Sequence, residues 1–192
     1  MKRLSAIFVC ALWNSHLMAD ELLVIQPPPS DGVAVGVESR WRLVTDGVMG
    51  GLSNGTLEKN TVDGRECVRL RGDVSLKNNG GFIQAALDVG STPAANASAY
   101  QGIVLEVYGN NEEYNLHLRS KDVWLPWQSY RASFVAPAIW QTIKMPFSAF
   151  SGYRIQKPLD ITQLKRIGIV AIGREFAADL CIGQLALYRD EP

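Results

Sequence analysis

From Trp41 to the end of the chain, no segment repeats its apolar residues every 3.6 positions for the length of a helix. Turn-forming residues interrupt the sequence roughly every ten positions. That pattern excludes helical bundles and βαβ folds and leaves an antiparallel β structure. The strand-like stretches are WRLVT (41–45), TLEKNTV (56–62), ECVRLRGDVSL (66–76), FIQAALDV (82–89) and GIVLEVYG (102–109). YNLHLRS (114–120), SYRASFV (129–135), WQTIKMPF (140–147), RIGIVAI (166–172) and DLCIGQLALY (179–188) complete the set. About ten antiparallel strands of this length predict an all-β, jelly-roll β-sandwich. Asp63-Gly64 is a hairpin turn. In ECVRL the alternation points Val68 and Leu70 inward, with Arg69 and Arg71 outward. The nearly continuous apolar runs 102–109 and 166–172 read as central strands. Only 146–150 and 158–164 hint at a helical turn.

The N-terminus differs. Residues 1–19 have a basic start (Lys2, Arg3), a short apolar run and a small residue, Ala19, before Asp20: the form of a secretory signal peptide. The run is too short to span a bilayer. The chain is therefore expected to be exported or periplasmic, with a short membrane-associated anchor as the alternative. Residues 20–38 contain Pro27-Pro28-Pro29 and read as an extended linker, and 39–192 as one sandwich domain. The 192 residues carry 19 basic and 19 acidic side chains, which argues against nucleic acid as a partner. Beyond Cys10 in the leader there are two cysteines, Cys67 and Cys181. An exported chain can pair them, and two separate thiols stay open as the alternative.

Catalytic patterns are missing from the sequence. His117 is the one histidine beyond the leader. It shares a strand face with Asn115 and Arg119, without a nucleophile elbow or a set of zinc ligands. DGVMGGLSNG (46–55) has neither the Lys-Ser/Thr nor the helix of a phosphate-binding loop. No cofactor is expected. A calcium site using Asp46, Asp73 or Asp88 stays open. Trp124, Trp127 and Tyr130 cluster around a Leu-Pro turn, where exposed rings would mark a protein or sugar contact.

Asp46-Gly47-Val48-Met49-Gly50-Gly51-Leu52-Ser53, following Trp41, resembles the glycine motif of the complex I intermediate-associated protein 30 family. Val74 to Phe82 (VSLKNNGGF), Tyr114 to Arg119 (YNLHLR), Trp127 to Tyr130 and Trp140 to Phe150 resemble its later blocks in the same order. The resemblance implies a galactose-binding-domain-like jelly roll and a non-enzymatic role. In mitochondrial members that role is to hold an assembly intermediate of a membrane complex, so another protein is the implied partner. The alternative is an exported carbohydrate-binding module. Gly50-Gly51 and Gly80-Gly81 are expected to let two loops bend and pack together. Met49 and Phe82 would be apolar plugs, and Asn78 and Asn79 would bond loop backbone. Asp46, Ser53 and this loop set, with Trp124, Trp127 and Tyr130, form the candidate binding surface.

Overall fold

The computed structural model describes residues 21–27 and 40–190. In chain order its strands are β1 (Glu21–Gln26), β2 (Trp41–Thr45), β3 (Asn54–Val62), β4 (Arg65–Val74), β5 (Phe82–Asp88) and β6 (Gly102–Tyr108). There follow β7 (Glu112–Ser120), β8 (Ser129–Ala136), β9 (Gln141–Pro146), β10 (Ser151–Tyr153), β11 (Leu164–Ile172) and β12 (Phe176–Arg189). They form two antiparallel sheets, a jelly-roll sandwich. The first runs β3-β4-β12-β6-β9, with β1 paired to the C-terminal half of β12; the second runs β10-β8-β7-β11-β5-β2. Helical geometry among the described residues is limited to single 3-10 turns, two of which fall at 147–149 and 161–163, inside the two anticipated stretches.

The core follows from period-two alternation. The first sheet contributes Val68 and Leu70 of β4, Leu105 of β6, and Ile182 of β12. The second sheet contributes Ile83, Leu116 and Ile169, from β5, β7 and β11. Both apolar runs, β6 and β11, are paired on both sides. Asp63 and Gly64 both have positive φ (50° and 73°), as a two-residue hairpin turn requires, and Val62 pairs with Arg65 across it. Arg69 and Arg71 lie on the outer side and bind the Asp179 carboxylate.

Ten strands were legible, and two were not. β10 is three residues long, too short to show alternation. β1 occupies the start of the segment read as a linker. β12 pairs with β4 only as far as Ile182, and β1 takes the same edge beyond it, with Leu22, Leu23 and Val24 opposite Tyr188, Leu187 and Ala186. Residues 28–39 and 1–20, which include the stretch expected to be a leader, lie outside the described residues.

Cys67 and Cys181 are joined, their Cα atoms 5.4 Å apart on neighbouring strands of the first sheet and 114 positions apart in sequence. Both are buried. A cross-link over so long a loop restricts the unfolded chain by about 3–5 kcal/mol. Replacing both cysteines by alanine should lower the thermal midpoint in oxidising buffer. Adding a thiol reductant should lower the wild-type midpoint by a similar amount and leave the variant unchanged. A variant melting with the oxidised wild type would contradict this.

Candidate functional site

The two glycine loops meet at one carboxylate. Asp46 opens the 3-10 turn Asp46–Met49 and is fully buried. Its Oδ1 accepts the Ser53 N–H at 3.0 Å. Its Oδ2 accepts from the Ser53 hydroxyl, the Gly81 N–H and the Phe82 N–H. Burial alone would raise this carboxyl's pKa. The donors outweigh it and hold the group below its ordinary value. Every contact is a hydrogen-bond donor, and Asp88 is engaged by Arg42 and Arg166, so neither carboxylate is arranged as a calcium ligand.

Two of the glycines exist for Asp46. A Cβ on Gly51 would lie 2.3 Å from its Cγ, and one on Gly80 would lie 2.4 Å from its Oδ2. Gly50 is different: it sits in open space and supplies the left-handed end of the turn, with φ 86°.

The expected loop packing is therefore present, with a different glue. Met49 is exposed, along with Val48, Leu52 and Leu76; Phe82 is half-buried. Asn78 and Asn79 hold left-handed backbone (φ 55° and 56°), a conformation asparagine tolerates, and no side-chain bond from them to loop backbone is present among the described residues. Tyr130 is a correction. It faces the core, buried, and its hydroxyl donates to the Lys157 and Pro158 carbonyls, so it is not a surface ring. Trp124 is 84% exposed and lies outside the cleft described next, whereas Trp127 lines it.

A cavity of about 540 Å³ lies on the outer face of the second sheet, from Val44 on β2 to Tyr153 on β10. Six strands at about 4.8 Å spacing give it a width of roughly 24 Å. Cross-strand register sets its floor: Gln84 stands opposite Val170, and His117 lies between Gly168 and Arg131. Gly168 lets the Gln84 side chain lie flat, because a Cβ there would meet Gln84 Nε2 at 2.3 Å. The glycine loops close one end through Met49, Leu76 and Phe82. The β7–β8 loop closes the other, and two guanidiniums hold it. Arg119 donates to the carbonyls of Val123, Leu125 and Pro126, and Arg131 to that of Trp127. Trp127 and Tyr153 remain half-exposed there, with the Arg131 guanidinium 3.6 Å above the Tyr153 ring.

His117 is 8% exposed, and its Nε2 is buried without a hydrogen-bond partner among the described residues. Burial first, and the Arg131 charge second, push its pKa down to about 3. It is a neutral polar group on the cleft floor. The sequence had placed His117 on one face with Asn115 and Arg119. Bringing Gln84, Arg131, Arg166 and Tyr153 to that face required the strand order, which no local pattern encodes.

Two outcomes test these features. Gly51→Ala should cost about 2 kcal/mol or more in urea unfolding, because Asp46 must move, while Gly50→Ala should cost about 1 kcal/mol of left-handed strain; equal losses would contradict the Asp46 account. For His117, the unfolded imidazole takes a proton near pH 6.5 and the folded one only near pH 3. Its contribution to stability is complete above pH 6.5 and falls by about 1.4 kcal/mol per pH unit between those values. His117→Gln should flatten that slope, and an unchanged slope would place the acid sensitivity elsewhere.

The fold is that of known sugar-binding modules. The "Family 11 Carbohydrate-Binding Module of cellulosomal cellulase Lic26A-Cel5E of Clostridium thermocellum" superposes with a TM-score of 0.69 at 12% identity, over 90% of this chain and 97% of that one. The same organism's Family 11 module in complex with a β-1,3-1,4-mixed-linked tetrasaccharide gives 0.65 at 14% identity, over 88% and 95%. A Family 30 module of the Clostridium thermocellum cellulase Cel9D-Cel44B gives 0.56 at 14% identity, over 91% and 100%. Comparison with curated proteins finds no match. The family model for Complex I intermediate-associated protein 30 (CIA30) matches residues 34–182, a span that includes both glycine loops and the floor of the cleft. The chain belongs to the complex I intermediate-associated protein 30 family.

Proposed function

We propose that this chain is a non-catalytic, exported binding domain that holds an extended saccharide in the cleft of its second sheet. The observation that carries the reading is a half-exposed ring, Trp127, beside a floor of polar groups, Gln84 and His117, with Tyr153 at the same end under the Arg131 guanidinium. Aromatic faces stack on the apolar faces of sugar rings, and buried polar groups that lack a partner favour a hydroxyl-bearing ligand. The unpartnered His117 Nε2 is such a group. A sugar-bound Family 11 module with a similar fold supports the same reading. Export rests on the leader-like residues 1–19 and is supported by the Cys67–Cys181 bridge, since such bridges persist in oxidising compartments.

A second reading is assistance in assembling a protein complex, through contact with another polypeptide. It is favoured by the exposed Val48, Met49, Leu52 and Leu76 on and beside the glycine loops, an apolar patch of the kind that protein partners cover. A glycan array separates the two. Under the saccharide reading, wild-type protein binds defined glycans saturably, and Trp127→Ala loses about tenfold or more in affinity while Leu52→Ser, outside the cleft, retains it. Protein capture that depends on Leu52, with no glycan bound, would favour the second reading.

A further inference from the structure

Among the described residues, the cleft is lined by Arg119, Arg131 and Arg166 and by no aspartate or glutamate. Among those residues, Arg166 alone of the three has a carboxylate partner, Asp88, and it shares that group with Arg42. The terminal nitrogens of Arg119 go to backbone carbonyls. Arg131 goes to the Ser129 hydroxyl and the Trp127 carbonyl. Arg119 and Arg166 are moreover direct cross-strand partners, an arrangement in which like charges repel. Arg154 adds a further cation beside Tyr153. On the same face of β7, Glu113 lies toward the far end of the strand and does not line the cavity.

Arg119 and Arg131 are both partly buried, and burial weakens the hold on their charge. A desolvated cation without an anion is a cost that an anionic ligand relieves. The guanidinium fork also matches the two oxygens of a carboxylate. Arg131 bonds the carbonyl of Trp127, so a charge-binding group and a ring-stacking group sit side by side. The ligand that fits both carries its carboxylate on the sugar ring itself.

We propose, resting on the saccharide reading above, that the cleft selects polysaccharides built of uronic acids over neutral ones. A neutral polymer would leave the arginine charges uncompensated. A uronate places one negative group per ring along a cleft whose uncompensated cations stand on neighbouring strands.

The test is calorimetric titration with oligomers of galacturonate, glucuronate and mannuronate, each beside its own carboxyl-reduced counterpart. Within a pair the sugar ring and linkages are the same, and the carboxylate is replaced by a neutral hydroxymethyl group. At low salt, at least one uronate should bind about tenfold or more tighter than its reduced form, and the gap should narrow to about twofold near 0.5 M salt. Arg131→Gln should remove most of the preference. Because Arg131 also holds the Trp127 loop, Arg166→Gln serves as a second variant that leaves that loop's bonds intact, and it should reduce the preference as well. If the reduced oligomers bind as tightly as the uronates, the uronate inference is overturned and the saccharide reading stands. If no oligomer binds and the glycan array is also blank, the saccharide reading itself fails.

Discussion

The buried carboxylate of Asp46 is the constraint on which the cleft depends. A charge at zero exposure is unfavourable unless every lone pair is met. Here the donors come from two loops far apart in sequence, Ser53 on one side and Gly81 and Phe82 on the other. The carboxylate therefore fixes the distance between the loops, and with it the entrance to β5 and one end wall of the cleft. The price is steric: no side chain fits at Gly51 or Gly80.

The opposite wall is built on the same logic with the charges reversed. Arg119 and Arg131 spend their donors on the carbonyls of the β7–β8 loop, which fixes Trp127 without a carboxylate. At one end an anion is satisfied by N–H groups; at the other, cations are satisfied by C=O groups. Carbonyl dipoles satisfy hydrogen-bond geometry but leave the positive charge in place. The cleft thus combines a rigid frame with an uncompensated field, which is what a pre-organised binding surface for a charged ligand needs. On the outer face of the first sheet, by contrast, Arg69 and Arg71 both reach a carboxylate, that of Asp179.

Much of the fold was legible because it is local. Alternation in β4, the Asp63-Gly64 turn and the apolar runs of β6 and β11 each encode their own structure. The family motif was legible too, since its residues are contiguous. β1 was not, because Pro27 and its neighbours disguised a strand that exists only where β12 changes partner. The site was legible in pieces. Asn115, His117 and Arg119 were assigned to one face, and Trp127 to a surface turn. Tyr153 sits in a strand of three residues, and Gln84, Arg131 and Arg166 join the site only through strand order. Tyr130 was misassigned because it neighbours Trp127 in sequence while alternation on β8 turns it inward.

The central claim is that ligand enters the cleft of the second sheet, against Trp127. The most direct measurement is a two-dimensional NMR titration with a binding oligosaccharide, following the tryptophan indole N–H signals. The account predicts that the Trp127 signal moves, while those of buried Trp41 and of Trp140, which donates to the Val62 carbonyl on the first sheet, stay in place. Movement of Trp140 with Trp127 unchanged would put the ligand on the other sheet and contradict it.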